Sequence, residues 1–126
     1  MKKLFLVLVF SLVMVSIACA DITVTLEWTA NSEADLAGYN IYRSLSDGGL
    51  YTLLGSVPTG TEQFTDTTVE YDKNYYYVVT AFDNEVPRHE SGYSNQVSFF
   101  KETPPNAGAP GIPQALDITV HIMIDK

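Results

Sequence analysis

From residue 22 onward the chain alternates apolar and polar positions with a period of two. Ile22-Thr23-Val24-Thr25-Leu26-Glu27-Trp28 predicts a strand with Val24, Leu26 and Trp28 on one buried face. Residues 31–35 are turn-rich. Gly38-Tyr39-Asn40-Ile41-Tyr42-Arg43 then predicts a second strand, closed by a hairpin signal at Asp47-Gly48-Gly49. Further strands are expected at 51–54, 63–65, 75–82 and 94–100, with Tyr75, Tyr77, Val79 and Ala81 sharing a face. Short strands between turn clusters, with no sustained helical period after residue 20, predict an all-β, antiparallel β-sandwich.

The alternation returns at the far end. Leu116, Ile118, Val120, Ile122 and Ile124 fall on one face, and Asp117, Thr119, His121, Met123 and Asp125 on the other. A Pro/Gly-rich linker, 102–114, separates this C-terminal strand, 115–126, from the sandwich at 21–101. Each branched aliphatic left in water forfeits about 1.5–3 kcal/mol of burial. Three arrangements satisfy that demand: the strand completes a sheet of its own molecule, completes that of a neighbour, or opens a second module.

Residues 1–20 are patterned differently. Lys2 and Lys3 precede an apolar run from Leu4 to Ile17, and Ala18-Cys19-Ala20 offers a small-x-small cleavage site. This predicts a signal peptide and a secreted, periplasmic or cell-surface protein. Ile17-Ala18-Cys19 also resembles the end of a bacterial lipobox, which would anchor the chain through a lipid on Cys19, although Ser16 departs from that pattern. Ordinary cleavage removes the single cysteine, and with it disulfides, thiolate metal ligands and a cysteine nucleophile.

Composition adds two constraints. Eight Tyr, six Phe and one Trp supply large side chains for a thin two-layer core. The formal charge of −8 deepens when Lys2 and Lys3 leave with the leader, so nucleic acid is not an expected partner.

Candidate chemistry is sparse. The two histidines, His89 and His121, lie far apart, and no nucleophile motif or phosphate-cradling glycine loop accompanies them. His121 and Met123 give a soft metal only two ligands, and Asp83 and Glu85 read as solvated turn residues. No catalytic residue, cofactor or metal is expected. Recognition falls to the loop from Asn84 to Gly92, where Arg88 and His89 form a basic pair in an acidic chain.

Several motifs stand in an order that resembles the fibronectin type III family, an immunoglobulin-like sandwich. They are Leu26-x-Trp28, Asp35-Leu36-Ala37-Gly38-Tyr39-Asn40-Ile41-Tyr42-Arg43-Ser44, Tyr75 to Asp83, and Glu90-Ser91-Gly92-Tyr93-Ser94-Asn95-x-Val97. The resemblance covers about residues 22–100. It implies that Trp28 is the core tryptophan of the second family strand and that Tyr75 is the tyrosine-corner residue, with Val69 as its apolar companion. Tyr71 and Lys73 depart from the Pro and Thr common in that corner. Trp28, Tyr39, Ile41, Val69, Tyr75, Tyr77 and Val79 are the expected core.

The family's first strand is missing from the expected start of the mature chain, leaving an open sheet edge. The reading that follows is an exported, non-enzymatic interaction, adhesion or assembly module. It would bind a protein or a surface glycan of unknown identity through loops or an edge strand. The alternative is a surface polymer in which Leu116, Ile118, Val120, Ile122 and Ile124 self-associate by strand donation.

Overall fold

A computed structural model describes residues 21–105 and 116–122. The described strands are β1 (Ile22–Trp28), β2 (Leu36–Ser44), β3 (Thr52–Pro58), β4 (Gln63–Asp66), β5 (Tyr75–Asp83), β6 (Val97–Phe99) and β7 (Leu116–Ile122). They form two sheets, ordered β4-β1-β7 and β3-β2-β5-β6. No helix occurs among the described residues, and the chain is an all-β sandwich. The expected leader at 1–20 with Cys19, most of the linker, and Met123 and Ile124 lie outside the described residues.

Alternation decides which side chains meet between the sheets. Val24, Leu26 and Trp28 of β1 face Tyr39 and Ile41 of β2 and Tyr75, Tyr77 and Val79 of β5, all of them buried, with Val69 beside them. Trp28 meets the Tyr39 ring edge-on at 5.3 Å. The Trp28 indole N–H finds no hydrogen-bond partner among the described residues. The Tyr75 hydroxyl accepts the backbone N–H of Glu70 at 3.0 Å, which closes the corner between β4 and β5.

A polar hub joins the sheets where alternation alone would place an apolar residue. Asp66, at the end of β4, is 2% exposed. Its Oδ2 accepts from Arg43 Nη1 of β2 at 2.7 Å and from the Tyr77 hydroxyl of β5 at 2.8 Å. Its Oδ1 accepts from the Thr68 backbone N–H at 2.8 Å and the Thr68 hydroxyl at 2.7 Å. The Arg43 guanidinium also lies 5.1 Å from the centre of the Tyr75 ring.

Two expectations need correction. The strand expected over 94–100 is regular only at Val97–Phe99, with a lone bridge between Phe82 and Glu90 upstream. Serine hydroxyls replace ladder carbonyls there: Ser94 Oγ accepts the N–H of Val79 and Ser91 Oγ that of Ala81, each at 2.9 Å. The sandwich is also not wholly antiparallel. β7 pairs with β1 in parallel, from Ile22 opposite Leu116 to Trp28 opposite Ile122, so the edge expected to be open is occupied. A parallel neighbour needs a long crossover. The segment after β6 begins that crossover under restraint, because the Asp72 carboxylate accepts from the Thr103 N–H at 3.0 Å and the Thr103 hydroxyl at 2.6 Å. Val120 is partly buried against the core.

Candidate functional site

The loop expected to carry recognition projects from one end of the sandwich. It leaves β5 at Asp83 and returns at Glu90, and Val86 at its tip is 97% exposed. Asp83 organises the loop from its base: Oδ1 accepts the backbone N–H groups of Glu85 at 3.1 Å and His89 at 3.0 Å. Oδ2 meets His89 Nδ1 at 2.9 Å. An imidazole nitrogen against a carboxylate must carry the proton, so this contact fixes the ring. The Asp83 carboxyl titrates below its ordinary value, chiefly through the His89 backbone N–H. The Asn84 N–H donates to the Asp35 carbonyl at 3.1 Å, tying the loop to the one that follows β1.

Arg88 and His89, the basic pair expected on this loop, both make contacts within the chain. His89 lies against Asp83 and, at 3.4 Å, Glu85. The Arg88 guanidinium stacks over the Phe82 ring, 4.2 Å from its centre. Both basic residues stay exposed, but Glu33, Asp35, Asp83, Glu85 and Glu90 outnumber them, so this end is acidic on balance. A cleft of about 310 Å³ runs between the two loops, lined by Glu33, Asp35, Asp83, His89 and Glu90 above Phe82. Asp83, Glu85 and His89 place one potential ligand atom each within 4.8 Å of one another. Leu116, Ile118, Val120 and Ile122, expected to serve strand exchange, are backbone-paired to β1 of the same molecule.

Glu90 is the residue that sequence reasoning passed over. Its Oε1 accepts from Asn40 Nδ2 at 3.0 Å and the Tyr42 hydroxyl at 2.6 Å, and also from the Thr80 hydroxyl. Partial burial works against ionisation, yet the bonds from Asn40, Thr80 and Tyr42 hold its carboxyl below the usual range. The Tyr42 hydroxyl is pushed up in turn, first by its bond to Glu90. The available signal was position: Glu90 opens the stretch ending at Val97 that carries the family resemblance.

No family model matches the sequence. The chain is similar to amylopullulanases, being 41% identical over 81 residues to that of Thermoanaerobacter thermohydrosulfuricus, a match covering 64% of this chain and 5% of the enzyme. With the amylopullulanase of Thermoanaerobacterium saccharolyticum it shares 45% identity over 60 residues, 48% of this chain and 4% of the enzyme. It thus spans only about one twentieth of these curated relatives. Among solved structures, the fold is similar to part of a beta-1,2-glucanase from Parabacteroides distasonis, with a TM-score of 0.51 and 26% identity over 71% of this chain and 13% of the enzyme. An Fn3-like protein from Clostridium thermocellum aligns over 71% of this chain and 99% of its own, with a TM-score of 0.47 and 24% identity.

Proposed function

We propose that this chain is an exported, non-catalytic accessory module that works by binding, in the setting of polysaccharide breakdown. The observation that carries the reading is the match to amylopullulanases. At 41% identity over 81 residues it is confined to 5% of an enzyme whose remaining length is available for catalysis. A segment whose match fills so small a share of a much larger protein behaves as a portable unit. The loop end supports it, because Asp83 fixes the loop from within and such a rigid, preformed surface suits binding. Export is supported by Lys2 and Lys3, the apolar run to Ile17 and the cleavage pattern at Ala18-Cys19-Ala20.

The test is an activity assay on the mature protein with soluble starch, pullulan and β-1,2-glucan. Reducing ends released should stay at the level of a protein-free blank. Sustained release from any of the three, lost on heat unfolding, would overturn the accessory reading.

A further inference from the structure

The outward face of the larger sheet carries a second surface, which adjoins the acidic cleft at Glu90. Along β2, Tyr39 and Ile41 turn to the core, so Asn40 and Tyr42 turn out. Tyr42 pairs across the ladder with Leu53 of β3, which is 58% exposed. Tyr93, from the segment between Glu90 and β6, packs against two other rings. Its centroid lies 5.5 Å from Tyr42 at an interplanar angle of 69° and 5.1 Å from Tyr51 at 58°. Tyr93 remains 56% exposed.

The flanking rings are held at their far ends. The Tyr42 hydroxyl donates to Glu90 Oε1, and the Tyr51 hydroxyl bonds Gln96 Oε1. Gln96 is itself fixed, since its Oε1 accepts the Gly48 N–H at 2.9 Å and its Nε2 donates to Asp47 at 2.7 Å. Ordering that a ligand would otherwise have to impose on these side chains is already complete. Among the described residues the three donors to Glu90 all take Oε1, which leaves Oε2 its lone pairs.

We propose that Tyr42, Tyr93 and Tyr51 form a platform for a neutral glucan chain. A sugar ring would rest on Tyr93 and its hydroxyls would bond Glu90 and Gln96. The chemistry of the face selects this ligand. A pyranose offers C–H groups on its faces and hydroxyls around its perimeter, and the platform offers aromatic faces edged by a carboxylate and an amide. An apolar peptide would bury Glu90, Gln96 and Asp47 without new partners, a cost that hydroxyls avoid. A polyanion would meet the carboxylates of Glu90 and Asp47. The proposal rests on the accessory reading above and names the ligand class and the surface that serve it.

Affinity electrophoresis of the mature protein in gels containing soluble starch, pullulan or β-1,2-glucan tests it, with maltoheptaose titration by calorimetry as the solution measurement. Saturable retardation by at least one glucan is expected. Tyr93→Ala removes an exposed ring, so it should melt within a few degrees of the parent while weakening binding at least tenfold. Lys73→Ala, in the turn before β5 where Lys73 pairs with Glu70, should bind as the parent does. No retardation in any gel overturns the platform. So does undiminished binding by a folded Tyr93→Ala, which leaves the accessory reading in place, whereas glucan hydrolysis removes that reading itself.

Discussion

A carboxylate sealed between two sheets is tolerable only while its lone pairs are used, and Asp66 uses them on Arg43, Tyr77 and Thr68. Burial alone would raise its pKa, but the bonds from Thr68, Tyr77 and Arg43 outweigh burial and hold it below the ordinary carboxylate value. A carboxyl depressed in the folded state stabilises the fold above its unfolded pKa, and that contribution is lost as pH falls through the folded value. Asp66→Asn should therefore cost about 2–4 kcal/mol at neutral pH. Between neutrality and pH ~3, the variant's urea midpoint should fall less than the parent's. Equal midpoints at both pH values would show that the hub contributes nothing. The core aromatics were legible because period-two alternation names the buried face directly. Asp66 was not, since an acid ending a short run such as Gln63-Phe64-Thr65 reads as the start of a turn. Arg43 was hidden for a related reason: its stem can follow an inward position while its charge signals solvent.

At the level of strands, Gly38 marks where two elements approach most closely. It sits at the irregularity in the β2–β5 pairing, and a Cβ there would lie 2.3 Å from the Val57 carbonyl oxygen and 2.8 Å from Phe82 Cζ. The first neighbour is backbone of a hydrogen-bonded strand and has little room to yield. Gly38→Ala should destabilise the protein by about 1–3 kcal/mol, read as a lower thermal midpoint with a retained β-sheet spectrum. An unchanged midpoint would mean that the strands separate freely at this point. Strand positions followed from the sequence because turn residues punctuate it, but pairing partners did not follow equally. The serines after Glu90 have the composition of a strand, and only the fold reveals that their hydroxyls take the N–H groups of Val79 and Ala81. For β7, alternation specified an extended segment with one apolar face and said nothing of its direction. The loop was legible as a turn-rich stretch after β5, yet the engagement of His89 by Asp83 and of Arg88 by Phe82 depends on contacts that no local pattern encodes.

Over the whole molecule, the smaller sheet is complete only because β7 lies along β1. Removing residues 103–126 should expose seven residues' worth of ladder on β1 and uncover apolar surface, lowering the melting midpoint by about 10 °C or more. The open edge should also drive association that rises with concentration, visible in sedimentation. An unchanged mass and midpoint would show that β7 adds nothing to the fold. A full-length protein that sediments as a dimer and separates only on unfolding would place the same strand in a neighbour. Of the described strands, β1 leaves the ribosome first and β7 last, so the earliest strand must wait for the latest before its sheet can close. Contacts of such long sequence separation form slowly. A nascent chain halted anywhere before residue 116 would consequently display an uncapped strand, giving chaperones and proteases a physical mark by which to tell an unfinished copy from a finished one.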